Sequence, residues 1–228
     1  IKFPIVTSGF RSYLKEFFRL KKYLKVNKID LIHAHYSYSG IIAALTGKKT
    51  VCSLMGSDIF DEFWFIKPIT RFFYKFVWVK SIVKSKLMQK RFAKSVVIPN
   101  GIDFGKFKQI PKNEALLKTS LSEMDINIIF IAEHINRKVK NFDLAQRAVE
   151  LLPDEYKLTA VSGKSQEELI NYYNAADVLL LTSLSEGSPN VVKEAMAINC
   201  PVVSTDVGDV KDIIVNTNTE TGSKIIEE

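Results

Sequence analysis

Short apolar runs that end on polar residues or glycine recur along the chain, each followed by a stretch whose apolar residues return every three or four positions. In the first half these runs are IDLIHAH (29–35), KTVCSLMGS (49–57), WVKSIVKS (78–85) and SVVIPN (95–100). In the second they are INIIFIAE (126–133), YKLTAVSG (156–163), DVLLLTS (177–183) and PVVSTDVG (201–208). Runs this apolar suit strands buried on both faces of a parallel sheet, with helices as crossovers. Ser165 and Glu168 form a capping box ahead of LINYYNAA, since each side chain can satisfy the other residue's backbone amide. The periodicity breaks over 97–112, where Pro99, Gly101, Gly105 and Pro111 cluster. The pattern predicts an α/β chain of two doubly wound, Rossmann-like domains: 1–98, then 99–228 opening with a linker.

The chain has 228 residues, 46% of them hydrophobic, enough for a sizeable core. It lacks both an uncharged apolar run of the roughly 18 residues a membrane span requires and a signal-peptide pattern at its start. It is therefore expected to be soluble or to touch a membrane only from one side. Cys52 and Cys200 lie in apolar runs without metal-ligand spacing, so buried free thiols in a reducing cytoplasm are expected. The net charge of +7 hides an asymmetry, with +15 over 1–110 and −8 over 111–228. Nucleic acid, anionic lipid and phosphorylated carriers would all suit the basic half. Nucleic acid is disfavoured, because no helix-turn-helix, RNA-binding aromatic signature or zinc spacing accompanies the charge. RSYLKEFFRLKKYLKVNK (11–28) reads as a basic amphipathic helix with Leu14, Phe17, Phe18 and Leu24 on one side. FWFIKPITRFFYKFVWVK (63–80) interleaves aromatics with Lys67, Arg71 and Lys75. Either these segments meet an anionic membrane surface, or their aromatics fill the core while the lysines face water.

Chemistry concentrates in SLSEGSPNVVKEAMAINCPVVSTDVGD (183–209). Ser188 and Pro189 read as the N-cap and first position of a helix at the carboxyl end of a parallel strand. The free amides of Gly187 to Val191 would then face a phosphate. Glu194, one turn inside, can accept from the vicinal hydroxyls of a ribose, and Glu186 from another hydroxylated ring. The implied ligand is a nucleotide diphospho-sugar; the plainer alternative is that the carboxylates complement the helix dipole. Arg137, Lys138 and Lys140 precede a helix with Phe142, Leu144, Ala145 and Val149 on its apolar face. Cations there oppose the helix dipole unless an anion binds; a solvated charge cluster is the alternative.

The Glu186-x7-Glu194 spacing, PVVSTDVGD, the upstream VIPNGID and the K-N-F-D-L start at Lys140 resemble the retaining family-four glycosyltransferases of the GT-B fold. The resemblance implies two Rossmann-like domains facing a cleft, in a chain shortened at both ends. It assigns Glu194 to the ribose, Glu186 to the donor sugar, and the backbone of Gly187, Ser188, Pro189, Asn190 and Val191 to sugar and phosphate. Arg137 and Lys140, with Lys138 nearby, would neutralise the departing diphosphate; no metal or cofactor is implied. The expected activity is transfer of a sugar, with retention, to a polysaccharide, lipid-linked or other cell-envelope acceptor at the inner face of the cell membrane. Two departures stand out. Ala132-Glu133-His134 replaces the glycine expected before the arginine, and Met55 replaces the histidine expected before Gly56, Ser57 and Asp58. His35 becomes the acceptor-side candidate, beside Gly56, Ser57 and Asp58; a histidine merely buried at a strand end is the alternative. A non-catalytic nucleotide-sugar or carbohydrate-binding module, or another GT-B enzyme such as an epimerase or a phosphorylase, stays open.

Overall fold

The structure is a computed structural model that describes residues 1–5, 10–60, 66–215 and 224–226. It divides into two compact units, Ile1–Pro99 and Asn100–Glu228.

Unit 1 runs α1 (Phe10–Val26), β1 (Leu31–His35), α2 (Ser37–Leu45), β2 (Lys49–Ser53), α3 (Ser57–Phe60), α4 (Ile66–Phe76), β3 (Lys80–Val83), α5 (Lys86–Arg91) and β4 (Val96–Val97). The strands pair in parallel in sequence order, β1-β2-β3-β4, so the reversal of a doubly wound sheet is not seen among the described residues. Cys52, Leu54, Trp78, Val83, Met88 and Phe92 fill one core; Leu20, Ala34, Ile42 and Ala43 build another under α1. Gly40 of α2 marks a close approach, because a Cβ there would stand 2.5 Å from the Cys52 sulfur and 3.0 Å from Trp78. Trp78 meanwhile donates its indole N–H to the Gly40 carbonyl at 3.0 Å. The stretch 63–65 and residue 11 of the expected basic–aromatic segments lie outside the side chains described.

Unit 2 continues with α6 (Lys112–Leu116), β5 (Ile126–Ile131), a 3-10 turn (Lys138–Lys140), α7 (Phe142–Glu150), β6 (Tyr156–Val161), α8 (Gln166–Ala175), β7 (Val178–Leu181), α9 (Asn190–Ala197), β8 (Val202–Thr205), α10 (Val210–Val215) and β9 (Lys224–Ile226). Its parallel sheet has the order β6-β5-β7-β8-β9. The apolar run of β5 suits an interior strand, paired on both sides. Ile129 and Ile131 pack with Tyr173, Leu179 and Val192 on one face, while Ile128 and Phe130 pack with Ala145 and Leu180 on the other. The capping box forms: Ser165 Oγ accepts from the Glu168 amide, and the Glu168 carboxylate accepts from the Ser165 amide at 2.8 Å. These bonds and the nearby Lys164 ammonium pull the exposed Glu168 carboxyl down to about 2. Phe107 is buried against Tyr173, their ring centroids 6.5 Å apart, so part of the 97–112 stretch is core of unit 2. Both cysteines are buried and neither is in a disulfide, and burial pushes the Cys200 thiol up to about 12.

The order β6-β5-β7 places a topological switch point between β5 and β7. The chain leaves β5 for β6 on one side and returns past β5 to β7 on the other. A crevice opens at the carboxyl ends of strands where such connections diverge, and ligands bind there in open α/β sheets.

Candidate functional site

Two loops leave this switch point, one after β5 and one after β7, and hydrogen bonds stitch them together. The Leu184 amide donates to the Val139 carbonyl at 2.8 Å. Thr182 Oγ1 donates to the Asn141 carbonyl at 2.8 Å and approaches that of Lys140 at 3.3 Å. Asn141 adopts a left-handed conformation, φ 51°, which suits asparagine and turns the chain from the 3-10 turn into α7. The Lys140 ammonium consequently meets Glu186 Oε1 at 2.6 Å, and Ser183 Oγ donates to the same oxygen at 2.8 Å. Lys140 and Glu186, 46 residues apart, form one half-buried ion pair beside the start of α9. Arg137 and Lys138 lie exposed on the same loop.

The start of α9 differs by one residue from the sequence expectation. Pro189 is the N-cap and Asn190 the first helical residue, and no side chain caps the helix. Ser188 does not cap because its hydroxyl is engaged elsewhere: it donates to Asp209 Oδ2 at 2.7 Å and contacts the Lys193 ammonium. Pro189 has no N–H to offer. The Gly187, Ser188 and Asn190 amides have no acceptor among the described residues, which leaves them for an anion. Behind the loop, Thr205 Oγ1 donates to the Ser183 carbonyl at 2.7 Å. Gly208, φ 64°, packs so closely that a Cβ would stand 3.0 Å from the Gly187 carbonyl oxygen.

Glu194 is only 7% exposed. The Tyr173 hydroxyl donates to its Oε2 at 2.7 Å, fixing the carboxylate, and no hydrogen bond reaches Oε1 among the described residues. Burial raises the Glu194 pKa, against the opposing pull of the Tyr173 hydroxyl. Burial and the adjoining carboxylate push the Tyr173 hydroxyl well above its ordinary range. An acceptor of this kind suits a pair of sugar hydroxyls that replace lost water.

In unit 1 the sequence candidates separate by role. Asp58 is fully buried, with Oδ2 accepting from the Ser37 amide at 2.8 Å and Oδ1 from the Met55 and Gly56 amides at 2.8 and 2.9 Å. It ties together the loops after β1 and β2, each oxygen engaged by backbone amides. Ser57 and His35 are exposed, and Gly56 is buried with φ 119°. Partial burial, then the nearby His33 and Lys84, hold the His35 pKa below its usual value. His33 and His35 stack at 4.6 Å, and His33 Nε2 shares a hydrogen bond with Ser53 Oγ at 2.8 Å. Tyr36, between them and α2, has φ 83°, a strained value for a residue with a side chain.

Sequence reading passed over Tyr173, Thr182, Lys193 and Asp209. Tyr173 sits at a core position, where a buried phenol demands a hydrogen-bond partner; that demand was the available signal. Among the described residues, no group of three or more His, Cys, Asp or Glu side chains is placed to hold a metal ion.

Comparison with known proteins places the chain in a family. Residues 1–106 match the sequence model of Glycosyltransferase Family 4, and residues 143–227 that of Glycosyl transferases group 1. The chain belongs to the group 1 / family 4 glycosyltransferases. It is 30% identical, over 81% of its length, to TuaC of Bacillus subtilis (strain 168), whose name places it as a glycosyltransferase of teichuronic acid biosynthesis. Among solved structures it resembles sucrose-phosphate synthase from Thermosynechococcus elongatus, with a TM-score of 0.76, 17% identity and 95% of this chain covered. It also resembles Anabaena HepE in complex with UDP-glucose, with a TM-score of 0.68, 16% identity and 87% covered. The GT-B fold expected from the resemblance is the fold of these neighbours. The chain spans 55% of the length of TuaC and 65% of each of the two structures.

The burial of Glu194 gives a pH prediction. A folded-state pKa above the ordinary 4.5 means that both states are protonated below that value, and Glu194 then costs the fold nothing. As pH rises from that value to the raised pKa, the unfolded chain ionises freely while the buried group keeps its proton, and stability is lost over that window. Glu194→Gln is therefore expected to melt higher than the unaltered protein at neutral pH, with the gap closing below pH 4.5. Melting curves across pH check this; an equal gap at acid and neutral pH would contradict it.

Proposed function

We propose that the chain binds a nucleotide diphospho-sugar in unit 2 and is the catalytic part of a retaining glycosyltransferase. The observation that carries the reading is the Lys140–Glu186 pair beside the unpartnered amides of Gly187, Ser188 and Asn190, at the sheet's switch point. A diphosphate at those amides gains the helix dipole and the Lys140 ammonium together. Glu194, held by Tyr173, accepts from the ribose, and Glu186 from a hydroxyl of the donor sugar. In transfer, the bond between the anomeric carbon and the diphosphate oxygen breaks while the acceptor oxygen bonds to the same face of that carbon. The acceptor proton passes to the departing phosphate. Lys140 stabilises the negative charge that grows on the diphosphate, the main electrostatic contribution of the protein. Arg137 and Lys138 add positive potential from the loop, and Pro189 and Val191 complete the backbone around the donor.

A uridine diphospho-sugar is the first donor to test, since the HepE structure that the chain resembles is a complex with UDP-glucose. We propose a polysaccharide or lipid-linked acceptor of the cell envelope, a reading supported by the likeness to TuaC, with His35, Gly56 and Ser57 as acceptor-side groups. Calorimetry with uridine, guanosine and adenosine diphospho-sugars, followed by turnover with such acceptors, tests the proposal. Lys140→Ala is expected to lower kcat by roughly 10²–10³-fold. Glu194→Ala should weaken donor binding about 10- to 100-fold, as expected for lost charge-assisted hydrogen bonds. Binding without turnover would reduce the protein to a nucleotide-sugar-binding module, and no binding would refute the donor site.

The basic unit is proposed to rest on an anionic membrane at its cytoplasmic face. No helix of the described residues is long and apolar enough to cross one. On α4 a row of Ile69, Phe72 and Phe76 is exposed, the last two at 55% and 67%, among Lys67, Arg71 and Lys75. Phe18 and Leu14 of α1 are similarly exposed, so these aromatics do not all fill the core. Co-sedimentation with vesicles containing phosphatidylglycerol should be lost in Phe72→Ser/Phe76→Ser and in high salt. Equal sedimentation of that variant would refute the contact.

A further inference from the structure

Lys193 occupies a place that helix physics disfavours. It lies on α9 within four residues of the helix start, where a cation opposes the dipole, and its side chain is only 11% exposed. Its ammonium turns back to the helix start and gathers three segments of unit 2. It pairs with Asp209 Oδ2 at 3.1 Å, contacts Ser188 Oγ, and donates to the Asn100 carbonyl at 3.2 Å. Asn100 is held a second time, its side-chain amide donating to Asn190 Oδ1 at 3.0 Å. Asp209 in turn accepts from Ser188 at 2.7 Å, and its other oxygen, Oδ1, is buried without a partner.

Stability does not account for this arrangement. A buried ion pair recovers its desolvation cost only when every polar atom is satisfied, and apolar residues of similar volume often serve as well or better. Here one carboxylate oxygen is orphaned, so the pair is a poor stabiliser. What it does fix is position. Ser188 and Asn190, whose amides face the proposed diphosphate, are both held through side chains that belong to this network. Asp209 also cancels the ammonium, so Lys193 itself presents no net positive charge to the donor.

We infer that Lys193 and Asp209 are a positioning pair for donor binding, setting the Gly187–Val191 backbone at the geometry a diphosphate requires. The inference rests on the donor-site reading above. Preorganised amides bind an anion without being reordered, so loosening them should cost affinity even in a well-folded protein.

The test compares the unaltered chain, Lys193→Met, Asp209→Leu, the double variant and Glu194→Ala. UDP binding is measured by calorimetry at a temperature where all are folded, with amide hydrogen exchange in parallel. Each single variant leaves one buried charge unpaired and should melt early; the double variant removes both charges. The expected result is that the double variant binds UDP at least about tenfold more weakly. Its exchange should be faster over Gly187–Val191 but not over Ile129–Ile131 of β5. If the double variant binds UDP as the unaltered chain does while Glu194→Ala binds weakly, the positioning role is overturned and the donor site stands. If the unaltered chain fails to bind UDP, or Glu194→Ala binds equally well, the donor-site reading falls, and this inference with it.

Discussion

Thr182 and Leu184 hold the loop after β7 against the loop after β5, and the meeting of Lys140 with Glu186 at the candidate site depends on that seam. The two loops leave neighbouring strands in a sheet whose order reverses between them, so nothing in the sheet itself keeps them together. Hydrogen bonds from one loop to the backbone of Val139, Lys140 and Asn141 do so, and the side chains of Lys140 and Glu186 meet as a result. Two charges far apart in sequence become one ion pair, positioned where α9 begins.

That pair and the buried Glu194 illustrate different electrostatic solutions. Lys140 and Glu186 keep partial solvent contact and compensate each other, so either can be redirected to a ligand at modest cost. Glu194 has a single neutral partner and little water, so its charge weighs on the fold. Under the proposed donor site, a carboxylate in that position is accounted for by what it would accept from a ligand rather than by what it adds to stability. Asp58 shows the contrasting case. It too is buried, but three backbone amides use both its oxygens.

The strands and the helix boundary at Ser165 were legible because their determinants are local: uninterrupted apolar runs, and a serine three residues from a glutamate. The cluster of Glu186, Gly187 and Glu194 was legible because glycine and carboxylates around a helix start are unusual in a core. Partnerships across the chain were not. Ser188 has the residue type of an N-cap, and only the fold reveals that Asp209, 21 residues on, takes its hydroxyl. Lys193 reads in sequence as a solvated helix lysine until Asn100 and Asp209 are seen around it. Nor does sequence report that the Ser37, Met55 and Gly56 amides converge on Asp58. Contacts of this kind depend on tertiary register, which periodicity and spacing do not encode.

The account centres on where a nucleotide diphosphate sits, and nitrogen-resolved NMR of the chain titrated with UDP addresses that location directly. The account predicts saturable shifts concentrated in the amides of Gly187, Ser188, Asn190 and Val191, with Lys140 and Thr182 moving alongside. Shifts confined to unit 1 around His33 and Ser37, or spread without saturation over the basic surface of α1 and α4, would contradict it.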